Sequence, residues 1–169
     1  MKRLLPILLL LFFASSCKSK KTSSSKKKQT HTVRVNTTAK PSAEAETIVK
    51  YAKTFDGTRY KYGGTTKKGM DCSGLIYTSY KKHNVNLPRT TAGLKGTGDW
   101  VDVKEVNVGD LLFFATKKNS RKVNHVGIVT SVRTGSVEFI HASSSRGVMI
   151  SSLAEKYWYF SFVQARRVL

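Results

Sequence analysis

The chain has 169 residues, with 30 Lys or Arg against 10 Asp or Glu, for a formal net charge of +20. The excess is concentrated at one end: two basic residues lie in 1–17 and eight in 18–41, leaving 20 basic against 10 acidic residues from position 42 onward. A nucleic-acid binder is set aside on this distribution, because the N-terminus reads as an export signal that would carry the chain away from DNA.

Met1-Lys2-Arg3 is a short positive start, and Leu4 to Ala14 is an apolar run interrupted by Pro6. The run is too short to span a bilayer and has the shape of a secretory signal. It ends in Ala14-Ser15-Ser16-Cys17, small residues before a cysteine, as at a bacterial lipoprotein cleavage site. The expectation is a signal over 1–17 with Cys17 becoming the lipidated first residue. The alternative is ordinary cleavage near Ala14, which would leave an odd free thiol near the tip. A Cys17–Cys72 disulfide is incompatible with lipidation of Cys17. Residues 18–41 are rich in Lys and Ser, hold no acid and have few large apolar side chains, so they read as a disordered basic tether. Its charge suits anionic lipid or wall polymer. The remaining stretch, 42–169, is long enough for one domain with a real core.

Within that domain, Ser42 to Phe55 reads as a helix: Ile48, Ala52 and Phe55 share a face, and Ser42 can cap it with Glu44 and Glu46 in the first turn. Gly57 to Gly69 is turn-rich. A second helix is expected from Cys72 to about His83, with Leu75, Ile76, Ser79 and Tyr80 inward and His83 solvated at its end. Residues 84–108 read as irregular. Five short β-branched or aromatic runs follow: 111–115, 125–132, 137–142, 148–151 and 158–166. Helices first and consecutive strands after predict an α+β domain with a mostly antiparallel sheet of five to six strands.

The chemistry centres on Asp71-Cys72-Ser73-Gly74. A thiol in the first turn of a helix meets unpaired backbone N–H groups and the positive dipole end, which favour thiolate and can stabilise an oxyanion. A buried structural cysteine is the competing reading, against which stand its charged, small-polar and glycine neighbours. His125 opens one predicted strand and His141 closes the next. If those strands pair through the turn at Thr134-Gly135, the two imidazoles lie at the same end of a hairpin. His125 would then be the general base and acid, and His141 the group that fixes its tautomer. Two unrelated surface histidines remain the alternative. A zinc site is disfavoured, because no carboxylate or second thiol joins at ligand spacing; neither metal nor cofactor is expected.

Six blocks carry a family resemblance: Gly57-Thr58-Arg59-Tyr60-Lys61-Tyr62-Gly63-Gly64, Asp71-Cys72-Ser73-Gly74-Leu75, Leu87-Pro88-Arg89-Thr90, Gly109-Asp110-Leu111-Leu112-Phe113-Phe114, His125-Val126-Gly127-Ile128 and Ile140-His141-Ala142. In this order they resemble the NlpC-type cell-wall cysteine peptidases, papain-like endopeptidases of bacterial peptidoglycan, over about residues 43–168. The resemblance implies Cys72 as nucleophile, His125 as base and His141 as third member of the triad. It implies Tyr60 as a hydrogen-bond donor near the thiol, and Asp71, Ser73 and Arg89 lining or bracing the substrate groove. It also implies stem peptides or their cross-links as substrate, without fixing the bond. Leu94 departs from the pattern, since many members carry Gln there. The lipoprotein start matches the small lipoprotein members, implying an exported, membrane-anchored enzyme facing the wall, and a monomer is expected. Activity should fall at acid pH as a thiolate–imidazolium pair is lost. The alternatives are a non-catalytic wall-binding lipoprotein and a cysteine amidase or acyltransferase on the same frame.

Overall fold

A computed structural model describes residues 40–169. The signal over 1–17, Cys17 and nearly all of the tether lie outside the described residues. Ser42 accepts from the Ala45 N–H at 3.1 Å and starts helix α1 (Ala43–Lys53), whose buried face is Ala45, Ile48, Val49 and Ala52. Phe55 follows the helix in a turn and stays buried. The turn-rich segment contains a two-stranded hairpin, β1 (Thr65–Thr66) with β2 (Gly69–Met70). It leads straight into helix α2 (Cys72–Lys81), which buries the predicted Leu75, Ile76, Ser79 and Tyr80.

Residues 84–108 are less irregular than expected. They hold a one-turn helix α3 (Thr91–Leu94) and a short strand β3 (Asp99–Val101). Elements of three and four residues give too few periods for a sequence pattern to show. Strands β4 (Leu111–Phe114), β5 (His125–Arg133), β6 (Ser136–Ser143) and β7 (Gly147–Ser152) follow the predicted runs. The last run is corrected: Trp158 lies on a short helix α4 (Lys156–Ser161), and only Phe162–Arg167 forms strand β8. The aromatic residues 157–160 mimic a strand in composition, but Trp158 is held against the sheet by its own helix.

The six longer strands form one sheet, ordered β3-β8-β4-β5-β6-β7, with every neighbouring pair antiparallel. Both faces are covered. Helices α1 and α2 pack with Leu111, Phe113, Val126, Ile128 and Ile140 on one side. Leu112, Phe114, Val129, Phe139, Leu153 and Trp158 form a second layer on the other. All four β4 side chains are therefore buried, each contributing about 1.5–3 kcal/mol. Two contacts fix the layers, one buried and one part-buried. The Tyr80 hydroxyl donates to the Gly109 carbonyl, tying α2 to the segment before β4. Arg167 grips Asp110 through Nε and Nη2 at 2.8 and 2.7 Å, locking β8 beside β4. Leu94 is fully buried in the helix-side core, so the position where the family often carries Gln faces inward here. His83 is half-buried with its ring edge-on to Tyr51 at 6.0 Å, not solvated, because α2 ends against α1. Among the described residues no helix is long and apolar enough to cross a membrane.

Candidate active site

The start of α2 is held by charge. Asp71 is its N-cap, and its carboxylate accepts the Gly74 and Gly63 N–H groups, each at 2.6 Å, and the Ser73 hydroxyl at 3.2 Å. Arg89 donates to both Asp71 oxygens, at 3.0 and 3.1 Å, to Ser73 Oγ at 2.8 Å and to the Gly64 carbonyl at 3.3 Å. Burial alone would raise the Asp71 pKa; the bonds from Arg89, Gly74 and Gly63 outweigh it and hold the carboxyl below its ordinary value. The Gly63–Gly64 turn is thereby clamped onto the helix. Gly74 permits this approach, since a Cβ there would lie 2.0 Å from the Gly64 carbonyl oxygen.

Cys72 follows as the first residue of α2 and is half-buried. Its Sγ lies 3.7 Å from Thr91 Oγ1, brought by α3. Burial pushes the thiol pKa up; the Thr91 hydroxyl and the Val126 and Ser73 N–H groups pull it down, and the Asp71 charge pushes it up again. The net direction is upward, which differs from the thiolate expected at a helix start. The anion at the N-cap offsets the helix-end field, and desolvation disfavours the remaining charge.

The histidines meet as the hairpin pairing implied. β5 and β6 join through Arg133↔Ser136, and His125 Nε2 lies 3.0 Å from His141 Nδ1. Behind them, His141 Nε2 lies 3.0 Å from Ser151 Oγ on β7. Gly127 leaves room for this row, since a Cβ there would sit 2.6 Å from the Phe139 ring and 3.2 Å from His141 Cβ. The pair is boxed by aromatic rings. Trp158 stacks on His125 at 5.5 Å and meets His141 edge-on at 4.7 Å; Phe139 lies 5.1 Å from His141 and Phe114 6.3 Å from His125. Desolvation pulls the His125 pKa down to about 4. Desolvation, then His125 and Arg146, pull that of His141 down to about 3. Both imidazoles are therefore neutral near pH 7.

Neutral rings in this row can be wired in only one way if His125 is to accept a proton through Nδ1. His125 Nε2–H must donate to His141 Nδ1, and His141 Nε2–H must donate to Ser151 Oγ. Reversing the row would put a proton on His125 Nδ1 and block it as a base.

Cys72 and His125 line one cavity of about 480 Å³, together with Tyr60, Arg146, Glu155 and Trp158. A second cavity of about 470 Å³ lies on the other side of the thiol, walled by Tyr60, Tyr62, Arg89 and Thr91. Tyr60, Cys72 and Asn124 line both, so the two form one cleft divided at the thiol. Burial first, then Cys72 and Asp71, push the Tyr60 pKa up, which keeps its hydroxyl protonated and a donor. Asn124 brackets Thr116 with bonds of 2.7 and 2.8 Å, fixing the loop that delivers His125.

The structure thus gathers Tyr60, Asp71, Cys72, Ser73, Arg89, His125 and His141 at one cleft, with Asp71, Ser73 and Arg89 bonded to one another. Sequence reasoning missed Thr91, Ser151 and Trp158. The first lies in a segment read as irregular, and the other two reach the histidines only through strand order and α4. Ser151 is a buried polar position on a recognisable strand, between the exposed Ile150 and the half-buried Ser152, and that inward place was the one signal that could have flagged it.

Residues 57–167 match the model of the NlpC/P60 family. The chain is 39% identical over 140 residues to a probable endopeptidase NlpC homolog of Haemophilus influenzae, covering 82% of this chain and 70% of that protein. It is 40% identical over 116 residues to the murein DD-endopeptidase MepS/murein LD-carboxypeptidase of Escherichia coli, covering 68% of this chain and 58% of that one. Its fold matches the crystal structure of an NlpC/P60 family protein from Bacillus cereus with a TM-score of 0.68 at 31% identity, over 78% of this chain and 41% of that chain.

Proposed function

The chain belongs to the NlpC/P60 family, and from that premise we propose that it is a cysteine endopeptidase of the bacterial cell wall, cutting stem peptides or peptide cross-links of peptidoglycan. The observation that carries the mechanism is the 3.0 Å bond between His125 and His141 in the cleft that Cys72 lines.

Cys72 Sγ attacks a peptide carbonyl carbon while its proton passes to His125 Nδ1. The carbonyl oxygen becomes an oxyanion, met by backbone N–H at the start of α2 and by the Tyr60 hydroxyl. The C–N bond then breaks, and the leaving amine takes the proton from His125. Water, giving its proton to His125, attacks the thioester; the acyl group leaves as a carboxylic acid and the thiol is restored. Because the thiol is pushed up and the imidazole down, the resting pair is neutral, and proton transfer accompanies attack. His141 holds the tautomer of His125, and Ser151 that of His141. Asp71, Ser73 and Arg89 brace the helix start, and Arg89 also walls the cleft.

The placement in the cell completes the reading. An N-terminal signal, lipid on Cys17 and the basic segment 18–41 would hold a monomeric catalytic domain beside the sacculus and raise its effective concentration there. The test of the activity is mass spectrometry of purified peptidoglycan fragments, monomeric and cross-linked, after incubation with the full-length chain or its Cys72→Ala variant. New fragments bearing a freed amino group on a diamino acid, seen only with Cys72 present, are expected, and their masses name the bond. Sugar released from L-alanine would point to an amidase, and binding without cleavage to a wall-binding protein.

A further inference from the structure

The loop between β4 and β5 carries Lys117, Lys118 and Arg121, and α4 sets Lys156, Tyr157 and Phe160 beside it. Together they wall an open cavity of about 860 Å³ in which no acidic residue takes part. None of the four cations has a salt bridge among the described residues, whose two ion pairs are Arg89–Asp71 and Arg167–Asp110. Tyr157 and Phe160, carried on the same short helix, are 55% and 58% exposed. The cavity is continuous with the cleft, since Thr116 and Tyr157 line both it and the chamber that holds Cys72 and His125.

Direction along the cleft follows from the chemistry. His125 gives its proton to the leaving amine, so the strand carrying that amine must run past His125. On that side Trp158 stacks on the imidazole, and Tyr157 stands next to it at a ring distance of 4.8 Å, opening onto the cationic cavity. The acyl side lies across the thiol, toward Arg89 and Tyr62.

We propose that the cavity bounded by Lys117, Lys118, Arg121 and Lys156 binds the carboxylate-bearing peptide strand on the leaving-amine side of the scissile bond. The proposal rests on reading Cys72 and His125 as nucleophile and base. Four like charges around one hollow repel one another and draw in an anion of opposite sign, and the rings offer faces to the aliphatic stems between its carboxylates. The volume lies within the range of sites that take several residues or a small molecule. Each exposed ion pair is weak, so the effect comes from several together and falls on substrate affinity, not on bond breaking.

The experiment uses the full-length enzyme and two matched cross-linked peptidoglycan fragments, one with the leaving strand's carboxylates free and one with them amidated. With the native enzyme, amidation should raise KM about tenfold and leave kcat within about twofold. In the double variant Lys118→Glu/Arg121→Glu, KM should be high for both fragments and the effect of amidation should shrink below about twofold. An undiminished effect of amidation in that variant, or none in the native enzyme, overturns the proposal while Cys72-dependent cleavage still stands. Calorimetric binding of the same two fragments to the Cys72→Ala protein reads the cavity without turnover. Should no fragment be cleaved by native protein, the catalytic reading fails, and with it this one. A glycerol-phosphate polymer binding through Lys118 and Arg121, with amidation of the peptide indifferent, would assign the cavity to phosphate polymers and also overturn it.

Discussion

The thiol and the base proposed for it are positioned by opposite means. At the start of α2 the work is done by formal charge close to the surface: the Asp71 carboxylate, gripped by Arg89 and two backbone N–H groups, pins the Gly63–Gly64 turn and aims Cys72 into the cleft. Across the cleft, the His125–His141–Ser151 row contains no formal charge at neutral pH and is packed in aromatic rings. A charged brace tolerates water, whereas a neutral row keeps its proton order only if water is excluded. The first should therefore respond to substitution chiefly through stability, and the second through rate and pH.

The largest expected effect breaks both sides together. Cys72→Ala or His125→Ala should cost at least about a thousandfold in kcat with folding retained, and the two losses should not add, since both act in one step. Next, Asp71→Ala removes the cap and leaves Arg89 unpaired. Urea unfolding should show a loss of about 2 kcal/mol, less than for a fully buried pair because Arg89 is part-exposed. Ser151→Ala should lower kcat about tenfold with KM nearly unchanged, and should also cost about 1 kcal/mol in urea unfolding because the buried His141 Nε2–H loses its acceptor; Ser151→Thr, which keeps the hydroxyl, should recover most of kcat, and a kcat unchanged by Ser151→Ala would break the contrast.

The pH response sharpens the comparison further. His125 is pulled down to about 4 from its ordinary 6.5, so its neutral form persists into mild acid and the acid limb of kcat/KM should lie below pH 6. For stability the sign is fixed by the lowered folded value. The contribution is fully present above about pH 6.5 and drains away as pH falls toward about 4, because the unfolded chain takes the proton first. Calorimetric melting between pH 4 and 7 checks this, and Trp158→Ala, by admitting water to the box, should move the acid limb upward by about one pH unit. The smallest effect is Ser73→Ala, which deletes one hydroxyl from the brace and should cost about 0.5–1 kcal/mol in the same urea assay.

The two regions also differ in how far the sequence reveals them. Asp71, Cys72, Ser73 and Gly74 are contiguous, so the cap, the thiol and the required glycine are legible in one tetrapeptide. The histidines are sixteen residues apart, and a plausible hairpin was enough to bring them together. Their surroundings were not legible. Phe114, Phe139, Ser151 and Trp158 come from four elements, and no local pattern announces that they converge. The run 158–166 reads as one strand because aromatic residues carry strand propensity, while the α4 turn that seats Trp158 is decided by packing. The same convergence explains why the Cys72 thiol is pushed up where a helix start alone would pull it down: the helix start is visible in sequence, and the desolvation that outweighs it is not.

The most direct test of the neutral relay is a ¹⁵N NMR titration of the imidazoles in the full-length chain. The account predicts neutral His125 and His141 at pH 7, each carrying its proton on Nε2, with no imidazolium until well below pH 6. An imidazolium at pH 7, or a proton on His125 Nδ1 at rest, would contradict it.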